Sequence, residues 1–295
     1  MKMIETEVLP QKVPLGSQDE SWLIRNEITL LSKQNRPRVI RSWVYALVGS
    51  LVIFYFFYFF LGYHEIISVS HNTGSIIFLA LPLFLPLKLW YELSKQARRI
   101  VMERIAMSLG YTYIEKSPLE SVLGVIFSQG NSRYLQDIFE GSSGDFSVRL
   151  FSYYFTIRRG KRGRTYRDIV FECSYPKQLP HIVLLPESTL NMEHEEVGLF
   201  SVAALEKVQL EGNFNSVFDL YVEDSAQTKV REILTPDVML YLMDVYSAYI
   251  IEFNQNKMYL MRRDHFMEPI PRYEINSLGI GLLEKLSPGL RSVTK

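Results

Sequence analysis

One cysteine, Cys173, is all the chain has, so no intramolecular disulfide can form; this suits a reducing compartment. Net charge is also missing: 32 Lys and Arg balance 32 Asp and Glu. The balance is uneven along the chain. Residues 1–99 hold 11 cations and 7 carboxylates, and the remaining 21 cations and 25 carboxylates follow. An acidic C-terminal part argues against general nucleic-acid binding. No GxSxG, HExxH, GxGxxG or GxxxxGK[ST] pattern occurs, and no internal repeat is visible. The common signatures of hydrolases, zinc proteases and nucleotide binders are therefore absent, and no cofactor is implied.

Charge is absent locally as well. Residues 43–63 form 21 consecutive uncharged positions, about 31 Å as a helix, against a hydrocarbon core of ~30 Å. Trp43, Tyr45 and Tyr63 stand near its ends, where amphipathic rings favour the headgroup level. A second, weaker run covers residues 74–91 and contains Pro82 and Pro86, which predict a kink. Basic residues flank the pair: Lys33, Arg36, Arg38 and Arg41 before it, Lys88, Lys95, Arg98 and Arg99 after it. Between the runs lie His64, Glu65 and His71 but no Lys or Arg. The positive-inside pattern predicts two spans, with both termini in the cytoplasm of a multi-pass inner-membrane protein. Neither run has an ionisable residue in its middle, which favours an anchor over an ion path.

These observations divide the chain into five expected parts. Residues 1–41 read as a cytoplasmic tail with a helix near 21–33 that lies on the membrane or on the following domain. Residues 42–91 read as the transmembrane hairpin, and 92–110 as a juxtamembrane helix ending at Gly110. Residues 111–265 read as a cytoplasmic α+β domain and 266–295 as a C-terminal extension with a short helix near 275–286.

Within that domain, Ser117-Pro118-Leu119-Glu120 predicts a helix start by capping, running to about Phe127. A second short helix is expected over 133–139. Residues 145–157, 166–173, 181–185, 217–222, 249–253 and 257–261 have the β-branched and aromatic content of strands. Asn254-Gln255-Asn256 predicts a tight hairpin between the last two. Thr235 and Pro236 open a helix. Hairpin-linked strands with helices set aside predict an antiparallel sheet with flanking helices, an α+β fold.

Six cations, Arg158, Arg159, Lys161, Arg162, Arg164 and Arg167, crowd a hairpin connection. They suit anionic lipid headgroups or an acidic partner surface. A solvated loop that guards a sheet edge is the simpler account of them. No aromatic platform is interleaved with them, so nucleic acid is not expected. Glu193-His194-Glu195-Glu196 has metal-like composition without metal-ligand spacing, and His181, His265 and Cys173 show none either.

Three segments carry a resemblance: Leu210-Glu211-Gly212-Asn213-Phe214, then Phe218-Asp219-Leu220-Tyr221-Val222-Glu223-Asp224, then Ile233-Leu234-Thr235-Pro236. Ile138-Phe139-Glu140-Gly141 and the strands around Phe151 and Phe171 extend it. The chain resembles an uncharacterised bacterial membrane family in which two N-terminal transmembrane helices precede a cytoplasmic domain of unknown function. The resemblance implies the inner membrane and no catalytic residues. The basic tip and the C-terminal tail depart from the family pattern.

The reading of the sequence is a membrane-anchored binding or scaffold module touching anionic lipid, with a protein partner or self-association. The alternatives are a membrane-bound enzyme acting on a lipid or envelope precursor and, more remotely, an oligomeric channel or transporter subunit.

Overall fold

In the computed structural model, residues 20–62, 84–128, 130–159, 162–187, 202, 204–262 and 271–293 are described. They fall into two compact units, Met1–Ile105 and Ala106–Lys295. The tail 1–19, residues 74–83 of the second apolar run, the acidic stretch 193–196 and His265 lie outside the described residues.

The first unit is helical. α1 (Glu20–Gln34) and α2 (Arg36–Gly62) are separated by the single residue Asn35, whose side-chain amide donates to Leu31 O at 2.9 Å. α3 (Phe84–Ser108) follows. Leu31 of α1 meets Leu93 and Ala97 of α3, with Ile28, Val39, Leu89 and Ile100 packed around them. Ala97 lets the helices approach, and Arg104 of α3 reaches Glu27 of α1 at 2.9 Å. Helix α1 is therefore packed on α3.

The transmembrane hairpin and its multi-pass topology are not found among the described residues. Among the described residues no helix is long and apolar enough to cross a membrane. α3 carries Lys88, Glu92, Lys95, Arg98, Arg99, Glu103 and Arg104 along its length, too many charges for hydrocarbon. α2 opens with Arg36, Arg38 and Arg41.

The second unit is α+β, as the strand content predicts. Its sheet has seven strands among the described residues: β1 (Thr112–Ser117), β2 (Asn131–Ser143), β3 (Phe146–Arg159), β4 (Arg162–Pro186), β5 (Glu206–Val208), β6 (Phe218–Val222) and β7 (Ile250–Arg262). All pairings are antiparallel. β4 is the spine. Its first half pairs β3, its last residues pair β6, and β7 pairs it along both parts. Three helices complete the unit: α4 (Gln227–Ile233), α5 (Pro236–Tyr246) and α6 (Arg272–Val293).

One sheet face carries Phe151, Tyr153, Phe155, Val170, Val183, Leu185, Ile250, Tyr259 and Met261, closed by Ile126 and Phe127 from the segment after β1. On the other face, α6 comes so close that a Cβ at Gly279 would lie 2.4 Å from the Phe171 ring. Both faces are thus covered, which is why β7 reads buried at eight of its thirteen positions rather than at alternate ones.

Four local expectations need correction. The helix expected from Ser117 is instead two single 3-10 turns, Leu119–Ser121 and Val125–Phe127. Pro118 is extended (φ −58°, ψ 147°) and no side chain caps the first turn; burial of Val122, Ile126 and Phe127 fixes the path. Residues 133–139 belong to β2. The hairpin at 254–256 is uninterrupted strand, with Gln255 at φ +54° opposite an irregularity of β4 between Ser174 and Ile182. Positions 249–253 and 257–261 are therefore parts of a single strand, β7. The C-terminal helix is longer than 275–286, beginning at Arg272.

Candidate functional site

The cations expected to flank the membrane are partly gathered in the first unit. Arg38, Arg41, Ser42 and Tyr45 stand at i, i+3, i+4 and i+7 on α2, so they share one stripe of that helix. Lys88, Leu89 and Glu92 stand one turn apart on α3. Together these seven side chains line an open cleft of about 340 Å³. Lys33, Arg36, Lys95, Arg98 and Arg99 are not part of it. Arg99 is instead bonded to Glu103 at 2.9 Å along its own helix.

The cleft holds three cations against one carboxylate. Among the described residues none of Arg38, Arg41, Lys88 and Glu92 makes a side-chain ion pair, whereas Arg99 and Arg104 on the same α3 both do. The hydroxyl of Ser42 is spent on Val39 O at 2.7 Å.

Beyond the cleft, α2 turns large apolar side chains outward. Trp43 is 55% exposed, Tyr45 63%, and Val44, Leu47, Val48, Leu51, Val52 and Tyr55 are comparably open. Leu87, Trp90 and Tyr91 of α3 are exposed as well. The covered stripe of α2 is narrow and largely of small residues: Ala46 is buried, while Ser42, Gly49, Ser50 and Ile53 are partly so. Scattered exposed apolar residues are ordinary, but a continuous apolar surface of this kind marks an interaction site.

Three of the six cations of the basic hairpin tip, Arg158, Arg164 and Arg167, have described side chains in the second unit. Arg158 and Arg164 are exposed, with Arg164 over the Tyr166 ring at 5.3 Å. Arg167 turns away, its Nε donating to the Ser152 hydroxyl at 3.2 Å. The side chains of Arg159, Lys161 and Arg162 lie outside what is described.

Two buried ionic groups escaped the sequence reading. Glu172, in β4, is forked by Arg149 of β3 (2.9 and 2.6 Å) and bonded by Lys257 of β7. Glu252, in β7, accepts the backbone N–H of Val125 at 2.8 Å and of Ile126 at 3.1 Å, and His181 at 2.8 Å. A third arrangement sets the fully buried Arg272 over Phe139, with its guanidinium donating to the Ser152 hydroxyl at 2.7 Å and lying 3.8 Å from the Asp137 carboxylate. The signal for the first two was a glutamate inside an apolar strand, as in Ile169-Val170-Phe171-Glu172 and Ile250-Ile251-Glu252-Phe253.

Titration behaviour in this unit follows burial. The Cys173 thiol is pushed up to about 12, first by burial and then by neighbouring Glu172, so it stays protonated and unreactive. Burial likewise raises the Tyr259 phenol, whose oxygen accepts the Leu123 N–H at 2.9 Å. Among the described residues no group of three or more His, Cys, Asp and Glu is placed to hold a metal ion.

No family model matches this chain, and no curated protein matches it. The uncharacterised two-helix membrane family suggested by residues 210–214, 218–224 and 233–236 is therefore set aside, along with its hairpin. Those residues have packing roles: Phe214 stacks on Phe218 at 5.3 Å, Leu234 is buried, and the Thr235 hydroxyl donates to Asp237 at 2.6 Å. The crystal structure of the mycobacterial trehalose monomycolate transport factor A, TtfA, is similar to this chain at 14% identity. The likeness covers 66% of this chain and 94% of that one, with a TM-score of 0.45. At that score and identity it assigns no function here.

Proposed function

We propose that this chain is a binding module that associates with a membrane surface through its first unit. The observation that carries the reading is the junction on α2 of an unpaired basic cleft with an exposed apolar helix face. The exposed apolar side chains of α2 would meet acyl chains, while Arg36, Arg38 and Arg41 at its start would stay at headgroup level. Trp43, Tyr45, Trp90 and Tyr91 are the ring types that settle at that level. Lysine or arginine near an anionic surface contributes about 1 kcal/mol each. Neither signal alone holds a protein firmly, and the two together do. The exposed arginines of the hairpin tip, Arg158 and Arg164, supply a further contact for anionic lipid.

The test is flotation of the full chain with vesicles of phosphatidylcholine alone and of phosphatidylcholine mixed with phosphatidylglycerol. The reading predicts that protein rises with both and more with the anionic mixture at low salt. Protein remaining at the bottom with both compositions would overturn it.

A further inference from the structure

The cleft has a composition that plain attraction to a charged surface does not require. A helix that only meets anionic lipid needs cations, and a carboxylate among them costs attraction. Here Glu92 stands among Arg38, Arg41 and Lys88, all four without an ion pair among the described residues. We propose that the cleft receives the headgroup of a phosphoglycerol lipid, the cations taking the phosphodiester and Glu92 accepting a glycerol hydroxyl. This rests on the surface-association reading above and names the ligand of that same site.

Each part of the assignment has a chemical reason. Guanidinium groups match phosphate oxygens in a fork, and the lysine adds a point charge. Three cations less one carboxylate leave the cleft positive, which favours a net anionic headgroup over a zwitterionic one. A carboxylate has only acceptors, so the exposed Glu92 exchanges water for a ligand only where that ligand offers O–H or N–H donors beside its phosphate. A glycerol arm offers them without adding positive charge. The exposed face of α2 continues from the cleft and gives the acyl chains an apolar surface to follow.

The experiment compares vesicles carrying equal mole fractions of phosphatidylglycerol or phosphatidylmethanol in phosphatidylcholine. The two anionic lipids have the same charge and the same phosphodiester, and only the first has hydroxyl donors. The full chain should prefer phosphatidylglycerol by about fivefold, the scale of one net hydrogen bond exchanged with water. Glu92→Gln should bind both vesicles and lose most of the preference. The triple variant Arg38→Gln, Arg41→Gln, Lys88→Gln should lose the preference and most of the salt-sensitive binding.

Equal binding to the two lipids by the unaltered chain would overturn the headgroup assignment while leaving surface association intact. Failure to bind any vesicle would overturn surface association instead, and short-chain dihexanoyl phosphatidylglycerol then tests the cleft alone. Binding of that lipid no tighter than inorganic phosphate would mean a simple anion site and would also overturn the assignment. A preference that survives Glu92→Gln would remove the hydroxyl contact from it.

Discussion

The imidazole Nε2–H of His181 donates to Oε1 of Glu252 at 2.8 Å, joining the second half of β4 to β7 beneath a loop whose backbone also binds the same carboxylate. The Glu252 side chain is fully buried, and the His181 side chain is 20% exposed. The carboxylate takes the place of the missing partners for the Val125 and Ile126 N–H groups at the 3-10 turn. Gly124 permits this approach, since a Cβ there would lie 2.7 Å from Oε2.

Glu252→Ala should therefore be among the most damaging single substitutions in the second unit. It strands two backbone donors and the imidazole, a loss of about 3–5 kcal/mol. Glu252→Gln keeps an acceptor oxygen and should cost clearly less. Urea unfolding of the three proteins checks the order, and equal midpoints would refute the role given to this carboxylate.

Gly279→Ala should destabilise the packing of α6 on the sheet, because the added methyl meets the Phe171 ring carbons at 2.4–2.5 Å. Overpacking of this kind costs about 1–3 kcal/mol. Phe171→Leu combined with Gly279→Ala should cost less than the two single changes added together. Strict additivity in thermal unfolding would mean the ring and the helix are not in contact.

Cys173 should resist alkylation by iodoacetamide in the native protein and react freely once the protein is denatured. Its linkage to pH follows from the raised value. The native thiol stays protonated to about 12, while the unfolded one ionises near its ordinary 9.0. This contribution to stability is complete below 9 and is lost as pH rises from there towards 12. Cys173→Ala should flatten the alkaline fall of the denaturation midpoint, and an unchanged slope would contradict the assignment.

Replacing Arg158, Arg159, Arg162 and Arg164 by Gln should weaken adsorption to anionic vesicles by roughly fivefold for each arginine that reaches the surface. The effect should vanish at high salt, where charges are screened. Unchanged adsorption at low salt would leave the tip as a solvated loop only.

Much of the second unit was legible where local chemistry and tertiary packing agree. The strands over 145–157, 166–173 and 217–222, the Thr235-Pro236 helix start and the break at Gly110 (φ +78°) all fall in this group. β2 misled because of a bulge. Asp137 has φ +54°, and between Gln136 and Phe139 the register shifts. Leu135, Ile138 and Phe139 are then buried together, a spacing of three and four that imitates a helix. The loop expected at 254–256 failed for a similar reason. Only the distant partner strand β4, which has its own irregularity between Ser174 and Ile182, shows that β7 continues.

The candidate site was legible in its members and not in its grouping. The basic residues were conspicuous, yet charge asymmetry alone read them as flanks of two membrane spans. Which of them converge depends on how α2 and α3 pack, and no spacing in the sequence carries that. The buried ionic groups were hidden by distance along the chain: Glu172 is 23 residues from Arg149 and 85 from Lys257.

The central claim, that the exposed face of α2 meets lipid, is tested most directly by tryptophan depth. In a Trp22→Phe, Trp90→Phe variant of the full chain, Trp43 reports alone. On phosphatidylcholine–phosphatidylglycerol vesicles its emission should shift to the blue and be quenched by brominated acyl chains. An unshifted, unquenched emission, with the protein left in the supernatant, would contradict the account.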